Sequence, residues 1–134
     1  MTDWGKGIPE FKESDLVTEE ELLLYAMQVV EDVELKKNGY EIVAAKTELD
    51  KAPNFVAKKD GRLYFIVVKG DIAPYVPDMT IQEKMNLLEH AKAFNAECYF
   101  APVSFGADDE ERFRKGLLLR GDALYSRYKG LEKI

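Results

Sequence analysis

Residues 52–70, APNFVAKKDGRLYFIVVKG, decide the fold that this chain of 134 residues is expected to adopt. Asp60 and Gly61 lie near the centre of the stretch, and this dipeptide tolerates the positive φ angles of a two-residue hairpin turn. Residues 54–58 and 63–69 on either side are therefore predicted to form two antiparallel strands. The second strand contains LYFIVV, which is apolar on both faces and predicts a central strand covered on both sides.

Two helical patterns flank this hairpin. Thr18, followed by three glutamates, is a good N-cap and predicts a helix over residues 18–37 that ends at the following Asn-Gly pair. Thr80 is predicted to cap a second helix over residues 80–95, in which His90 lies on the exposed side. The inner stripe predicted for this second helix comprises Ile81, Met85, Leu88, Ala91 and Phe94.

The remaining elements complete an α/β domain. YEIVAAKT, before the hairpin, and ECYFAPVSF, after the second helix, are predicted to be strands. A short helix over residues 108–115 and a final hairpin turning near Gly121 are predicted to form a C-terminal α/β appendix. We therefore expect a single domain, residues 1–134, with an irregular arm at residues 1–15. Its core order is predicted to be α-β-β-β-α-β, with a mixed central sheet flanked by helices.

The composition is that of a soluble globular protein, since 46% of the residues are hydrophobic and 33% are charged. No apolar run approaches the roughly 20 residues that span a bilayer, which argues against a membrane partner. The chain has one histidine and one cysteine, so neither a zinc site nor an internal disulfide is expected. Cys98 is interpreted as a buried, inert thiol, and the expected location is the cytoplasm.

Charge is spread unevenly along the chain. The net charge is −6, which disfavours indiscriminate binding to nucleic acid, whereas residues 112–134 carry seven bases and two acids. A solvated face is the simpler interpretation of this basic segment. The other interpretation is a docking surface for phosphate or for an acidic partner, with Arg120, Arg127 and Lys129 as candidate contacts.

The predicted element order, with Lys69 closing the third strand, resembles the PD-(D/E)XK nuclease superfamily, which has the restriction-endonuclease-like fold. In that family an aspartate begins the second strand, and a Glu/Asp-x-Lys motif follows on the third strand after a hairpin. Here Asn54 stands in place of the aspartate, Val67 in place of the second acid, and Lys69 in place of the lysine. The resemblance covers residues 18–105, which is most of the chain.

The residues at the two acidic positions decide the function that this resemblance implies. In a family member with both acids, the carboxylates would bind Mg²⁺, and the lysine would help to position or activate the attacking water. Asn54 offers a neutral oxygen and Val67 offers no ligand, so the standard metal site is expected to be lost. The implied role is a non-catalytic binding or interaction module without a cofactor, whose partner is a protein or a nucleic acid. Homodimer formation is common in such folds and is a further expectation.

Two alternatives stay open. In the first, displaced acids rebuild a Mg²⁺ site and the chain is an active nuclease; the candidate acids are Glu34, Asp50, Asp71 and Glu83. In the second, the hairpin match is accidental and the chain is another small α/β protein. Lys69 would then be a strand-end lysine that lays its methylenes on the core and keeps its amine in water.

Overall fold

The helices and strands come from a computed structural model that describes residues 15–49, 51–107, 114, 118, 119 and 124–134. The helices are α1 (Glu19–Val30), which continues into a π-helical segment (Glu31–Leu35), and α2 (Ile81–Lys92). The strands are β1 (Glu41–Ala45), β2 (Phe55–Lys59), β3 (Arg62–Ile72), β4 (Glu97–Ala107), β5 (Leu124–Tyr128) and β6 (Glu132–Lys133). The arm predicted at residues 1–15 lies outside the described residues except for Asp15.

The six strands belong to one mixed sheet. Its order is β1-β2-β3-β4-β5, and β6 also pairs with β4. β3 and β4 run parallel and are joined by the crossover through α2, whereas the other pairs are antiparallel. This arrangement confirms the predicted order α-β-β-β-α-β and the mixed central sheet.

The C-terminal strands are placed differently from the predicted final hairpin. In the described residues, Leu119 forms a bridge with Leu16, and β5 pairs with β4. The difference arises because β4 is 11 residues long and offers a free edge, on which β5 and β6 both add to the central sheet. The predicted short helix and the turn near Gly121 lie outside the described residues, apart from Arg114, which is helical.

Local sequence explains where these elements begin and turn. Asp60 has a φ of 52° and Gly61 a φ of 80°, so the predicted positive-φ turn between β2 and β3 is confirmed. Thr18 and Thr80 each close a capping box with the glutamate three positions later. The two boxes satisfy backbone N–H groups at the start of each helix, and both predicted helix starts are confirmed.

α1 covers one face of the sheet and forms the larger core with it. The buried residues of this core include Leu22, Leu23, Ala26, Met27, Val30, Phe55, Ile66, Val68, Val103 and Phe105. Gly70 of β3 permits the close approach of α1, because a Cβ at this position would lie 2.7 Å from the backbone carbonyl oxygen of Leu22. This contact brings the N-terminal end of α1 directly beside the end of β3.

α2 covers the other face with a smaller core. Leu87 and Ala91 are its buried residues. They join a cluster made by Phe65, Val67, Met79, Cys98 and Phe100. The Cys98 thiol is buried, as predicted, and burial raises its pKa.

The inner stripe predicted for α2 was wrong for most of its members. Ile81, Met85 and Leu88 are 77%, 59% and 42% exposed, and Phe94 is exposed as well. The prediction turned the most apolar face of the helix inward. The sheet instead receives the face of Leu87 and Ala91, which lies about 100° around the helix from Ile81, Met85 and Leu88. Within the described ranges, no helix is long and apolar enough to cross a membrane.

Candidate functional site

A cleft of about 930 Å³ lies over the carboxyl-terminal half of β3. The first turns of α1 and α2 form two of its walls, and the connection between β1 and β2 forms a third. Asn54, Val67 and Lys69, the three positions assigned to the nuclease motif from the sequence, all line this cleft. The structure therefore brings these three residues to one cleft.

Asn54, directly before β2, is 4% exposed and all of its polar groups are used. Its side-chain Oδ1 accepts a hydrogen bond from the backbone N–H of Val68 at 2.7 Å, and its Nδ2 donates to the carbonyl of Lys46 at 3.2 Å. Its own N–H donates to the carbonyl of Ile66 at 2.9 Å, and its carbonyl accepts from the N–H of Lys46 at 2.7 Å. Asn54 thus links the chain after β1 to β3.

An amide is chemically suited to this place and a carboxylate is not. The site needs one acceptor, for the N–H of Val68, and one donor, for the carbonyl of Lys46. An ionised carboxylate has two acceptors and no donor, so its second oxygen would face the Lys46 carbonyl without a proton between them. Asn54 is therefore a structural residue of the sheet in this arrangement.

Val67 and Lys69 share one face of β3 because they are two positions apart on a strand. Val67 is buried in the cluster that includes Met79 and Leu87. The ammonium of Lys69 lies 2.9 Å and 3.0 Å from the two carboxylate oxygens of Glu83 and 3.1 Å from the carbonyl oxygen of Asp78. Lys69 therefore ties the end of β3 to the loop and the first turn that begin α2.

Glu83 takes part in two interactions at once. Its carboxylate accepts a 2.8 Å hydrogen bond from the backbone N–H of Thr80, which closes the capping box, and it also pairs with Lys69. The hydrogen bond from Thr80 and then the bond from Lys69 lower the pKa of Glu83. The carboxylate is thus charged and is already bonded to the Thr80 N–H and to Lys69. A metal ion would need a carboxylate that is free of such partners.

The candidate displaced acids fall into three groups. Glu83 and Asp71 line the cleft together with Lys69, and an Asp71 oxygen accepts a hydrogen bond from the N–H of Ile72 at 2.8 Å. Asp50 lies outside the described residues. Glu34 is absent from the lining of the cleft.

Glu34 belongs to the π-helical end of α1. Its Oε1 accepts a 2.7 Å hydrogen bond from the hydroxyl of Tyr128, and its Oε2 accepts one from the side chain of Asn38 at 2.8 Å. Burial and the nearby Glu34 carboxylate raise the pKa of Tyr128. Glu34 therefore links α1 to β5 and the turn after the helix.

The cleft is also lined by three further carboxylates, Glu19, Glu48 and Asp78, of which Glu19 and Asp78 were not considered as site residues from the sequence. Glu19 is in the first turn of α1 and Asp78 precedes α2. Glu19 reaches the cleft because Gly70 lets α1 lie against the end of β3. This contact joins residues about fifty positions apart, so no local pattern could have indicated it. Asp78 could have been suspected, because it lies two positions before the helix cap at Thr80.

The basic candidates lie away from the cleft. Arg127 and Lys129 are exposed at or just after β5, which is the edge strand beyond β4. Arg120 lies outside the described residues. A phosphate contact through Arg127 and Lys129 would therefore use the β5 edge of the sheet and not the cleft.

Comparison with known proteins gives a family. A family described as a domain of unknown function (DUF8840) matches residues 20–134. The chain belongs to this family. No curated protein matches this DUF8840 chain. A solved structure that is similar is Hjc, a Holliday junction resolvase of Archaeoglobus fulgidus, an archaeal hyperthermophile, with 22% sequence identity and a TM-score of 0.41. The similarity covers 58% of this chain and 63% of that chain, which is less than two thirds of its length.

At the positions of the resembled motif, this DUF8840 chain offers Mg²⁺ no free carboxylate. Asn54 Oδ1 is directed at a backbone N–H, Val67 has no donor atom, and Glu83 is paired with Lys69. Across the part of the chain that the structure describes, no three His, Cys, Asp or Glu side chains are close enough together to hold a metal ion. The cleft is instead a polar cavity with an apolar floor made in part by Val67 and Leu87.

Proposed function

We propose that this chain is a non-catalytic binding domain of the restriction-endonuclease-like fold, whose cleft receives a partner molecule in place of a metal ion. The observation that carries the proposal is the hydrogen bonding of Asn54. Both ends of its amide serve the backbone of the sheet, so the position that holds a metal-binding acid in the resembled nucleases is occupied here by a structural group. Val67 adds an apolar wall at the second acidic position.

The charge of the cleft favours a protein partner over a nucleic acid at this site. Two lysines, Lys51 and Lys69, face the cleft, and the latter is neutralised by Glu83. The carboxylates that line it are Glu19, Glu48, Asp71, Asp78 and Glu83. This excess of negative charge repels phosphate and attracts a basic segment of a protein.

The test of the proposal is a search for metal-dependent cleavage. The purified chain is incubated with Mg²⁺ or Mn²⁺ and with single-stranded, double-stranded and branched DNA and RNA. We expect no cleavage, and a calorimetric titration with Mn²⁺ is expected to show no saturable site. Cleavage that disappears in Lys69→Ala but persists in Lys92→Ala, an exposed lysine on α2 outside the cleft, would contradict the proposal.

The correspondence of Asn54 and Val67 with the two acidic positions has a test of its own. The variant Asn54→Asp with Val67→Glu places two carboxylates at these positions. If the correspondence holds, Mn²⁺ raises the melting temperature of the double variant and not that of the natural chain, because an ion that binds only the folded state stabilises it. Asn54→Asp with Val67→Gln, which lacks the second charge, is the matched control. Equal melting temperatures with and without Mn²⁺ for the double variant would count against the correspondence.

A second candidate function is an active Mg²⁺-dependent nuclease with displaced acids, and one observation favours it. Asp71 and Glu83 line the same cleft as Lys69. If this function is correct, the cleavage assay shows a product, and Asp71→Asn and Lys69→Ala each abolish it. If Lys69→Ala abolishes cleavage and Asp71→Asn does not, Asp71 is not a ligand of the metal.

Binding in the cleft is tested with a basic probe peptide. A fluorescent oligolysine peptide is expected to bind the natural chain, and Glu48→Gln with Asp71→Asn is expected to weaken binding several-fold because two carboxylates are removed. Glu41→Gln with Glu89→Gln, which removes two exposed carboxylates that do not line the cleft, is the control for net charge. An unchanged affinity in the double variant would remove the cleft as the site of a basic partner.

A further inference from the structure

Three partly exposed tyrosines lie side by side on the face of the sheet that α1 covers, towards the end with the β2–β3 turn. They are Tyr40, directly before β1, Tyr64 on β3 and Tyr99 on β4. The ring centroids of Tyr40 and Tyr64 are 5.3 Å apart, and those of Tyr64 and Tyr99 are 5.9 Å apart. The three rings therefore form a continuous aromatic surface at the border of the larger core.

Three cations border these rings on the same face. The ammonium of Lys59 lies 4.9 Å from the centroid of the Tyr40 ring. Arg62 lies two positions before the middle tyrosine on β3, and Lys133 of β6 lies directly opposite the last one on β4. The side chains of Arg62 and Lys133 are largely in water, at 70% and 68% exposure. We call the three tyrosines and these three cations the tyrosine surface.

The carboxylates beside these cations on the same face already have partners. Glu97 lies 2.8 Å from Nη1 of Arg62 and 3.7 Å from the ammonium of Lys133. Both oxygens of Glu34 accept hydrogen bonds from neighbouring side chains. Lys59 forms no ion pair with a residue that the structure describes, and Arg62 keeps further N–H groups, since a guanidinium has five of them. The tyrosine surface therefore has donors left for a ligand.

Strand alternation keeps the other charges of these strands off this face. Glu41 and Lys58 are direct neighbours on β1 and β2, and both lie on the opposite face. Glu132 pairs opposite Phe100 and lies on that opposite face as well. Asp60 is at the tip of the turn between β2 and β3. The tyrosine surface thus offers cations and aromatic rings together, and this combination suits an acidic ligand that also carries apolar groups.

The tyrosine surface is separate from the cleft. None of its six residues lines the cleft. The cleft lies over the carboxyl-terminal half of β3, whereas Tyr64 is the third residue of this strand. A molecule bound to the tyrosine surface therefore leaves the cleft open, and the inference does not depend on what the cleft binds.

The geometry of the rings favours a protein segment over a nucleic acid. Bases stack on open ring faces. Here the planes of Tyr40 and Tyr64 meet at 83°, which is an edge-to-face contact, and Lys59 covers one face of the Tyr40 ring. Tyrosine and arginine are, in contrast, enriched among the residues that contribute most to the affinity of protein interfaces.

We infer that the tyrosine surface binds an acidic segment of a protein partner. The carboxylates of this segment meet Lys59, Arg62 and Lys133, and its apolar side chains lie on the tyrosine rings. The surface is small and its cations are exposed, so salt weakens the binding.

The charges of the tyrosine surface are tested by fluorescence anisotropy with a labelled peptide of alternating glutamate and leucine residues. We expect the natural chain to bind this peptide. Lys59→Glu with Lys133→Glu is expected to weaken binding by about tenfold or more, because two attractive contacts become repulsive. Lys58→Glu with Lys92→Glu makes the same change in net charge at exposed lysines outside the surface. This matched control is expected to weaken binding by less than about twofold.

The rings are tested with variants of single tyrosines. Tyr64→Ala removes the middle ring and is expected to weaken binding by about tenfold. Tyr75→Ala, at a tyrosine that is 67% exposed in the connection before α2, is the matched control and is expected to leave binding unchanged. Far-UV circular dichroism verifies that each variant is folded. If Tyr64→Ala unfolds, the variant with Lys59→Glu and Lys133→Glu, at positions outside the core, decides the test.

Three outcomes overturn the inference. The first is a peptide that does not bind even at millimolar concentration, and the second is equal weakening in the two lysine double variants. The third concerns a labelled oligothymidylate of the same length as the peptide. If it binds more tightly than the peptide and loses affinity in the variant with Lys59→Glu and Lys133→Glu, the surface takes a nucleic acid and not an acidic protein segment. A folded Tyr64→Ala that binds the peptide like the natural chain overturns the role of the rings.

Discussion

The two faces of the central sheet are covered in different ways. On one face, α1 lies so close to β3 that Gly70 leaves no space for a Cβ beside the Leu22 carbonyl. On the other face, α2 buries two residues, Leu87 and Ala91, and its first turn is held by the Lys69–Glu83 pair at the border of the cleft. The α1 face therefore holds the fold together, whereas α2 borders the cleft and leaves the apolar side chains of Ile81, Met85 and Leu88 exposed.

The largest effect on stability is expected at Gly70, where α1 packs most closely against the sheet. Gly70→Ala would force its Cβ against the backbone of Leu22, which a side-chain rotation cannot relieve. We expect the free energy of unfolding, measured by urea denaturation, to fall by about 3 kcal/mol. Gly39→Ala is the control, since nothing lies within 4 Å of its added Cβ and the positive φ alone is strained. The free energy of unfolding of Gly39→Ala should fall by about 1 kcal/mol. Equal losses for the two variants would mean that the close packing of α1 against β3 does not set the cost at Gly70.

The next effect concerns the sheet beneath the cleft. Asn54→Ala removes the partners of the Val68 N–H and the Lys46 carbonyl, and the first of these groups is buried. We expect a loss of about 2 kcal/mol in the free energy of unfolding. Asn86 also lines the cleft, and among the described residues its side chain bonds only to the exposed Gln82, so Asn86→Ala should lose less than about 0.5 kcal/mol. A similar small loss at Asn54 would show that its amide is not structural.

A smaller effect is expected at the start of α2, and it depends on pH. The pKa of Glu83 is lowered by the Thr80 N–H and then by Lys69. A lowered pKa in the folded state gives stability that is present above the ordinary carboxyl value of 4.5 and is lost as the pH falls below it. Glu83→Gln should therefore cost about 1 kcal/mol at neutral pH, since the group is partly exposed, and the difference from the natural chain should vanish at acidic pH.

The control for this prediction is Glu89→Gln on the exposed side of the same helix. Its carboxylate is 3.9 Å from Lys92, so little stability is expected to be lost at any pH. Urea denaturation of the three proteins at neutral and acidic pH provides the measurement. A loss in Glu83→Gln that is the same at both pH values would mean that the charge of Glu83 does not hold α2 to the sheet.

The smallest effect on stability is expected at the edge of the sheet. Arg127→Ala with Lys129→Ala should change the free energy of unfolding by less than about 0.5 kcal/mol, because both residues are exposed. If this edge contacts phosphate, the affinity for an oligonucleotide falls steeply with salt, and the double variant reduces the salt slope by about one to two units. Fluorescence anisotropy provides the measurement, with Lys58→Ala and Lys92→Ala as the control pair. A slope that is equal in both double variants would remove β5 as a phosphate contact.

The parts of the fold with local causes could be predicted from the sequence. The Asp60-Gly61 turn needs only the φ preferences of two residues, and the capping boxes at Thr18 and Thr80 need only four consecutive residues each. These signals placed the hairpin and both helix starts correctly. The order of the core elements followed from them.

The parts that depend on distant contacts could not be predicted. The rotation of α2 is set by how Leu87 and Ala91 fit the sheet, and its own periodicity favoured the stripe that is in fact exposed. The role of Asn54 depends on Val68 and Lys46, which reach it only when the sheet is formed. Lys69 and Glu83 were both selected from the sequence, but their ion pair was not, because it requires the crossover between β3 and α2 to be closed.

The parallel pairing of β3 with β4 has a consequence for how the chain folds. Residues 64–72 of β3 each pair with a residue of β4 that is 33 positions later, as Tyr64 does with Glu97, whereas β2 and β3 meet across a two-residue turn. Closing a long loop costs conformational entropy before the stabilising contacts across it form. The β2–β3 hairpin, which has a short loop, can therefore form early, and the pairing of β3 with β4 must form late. Until then the apolar edge of β3 is open to other chains, and refolding at high protein concentration should therefore compete with aggregation.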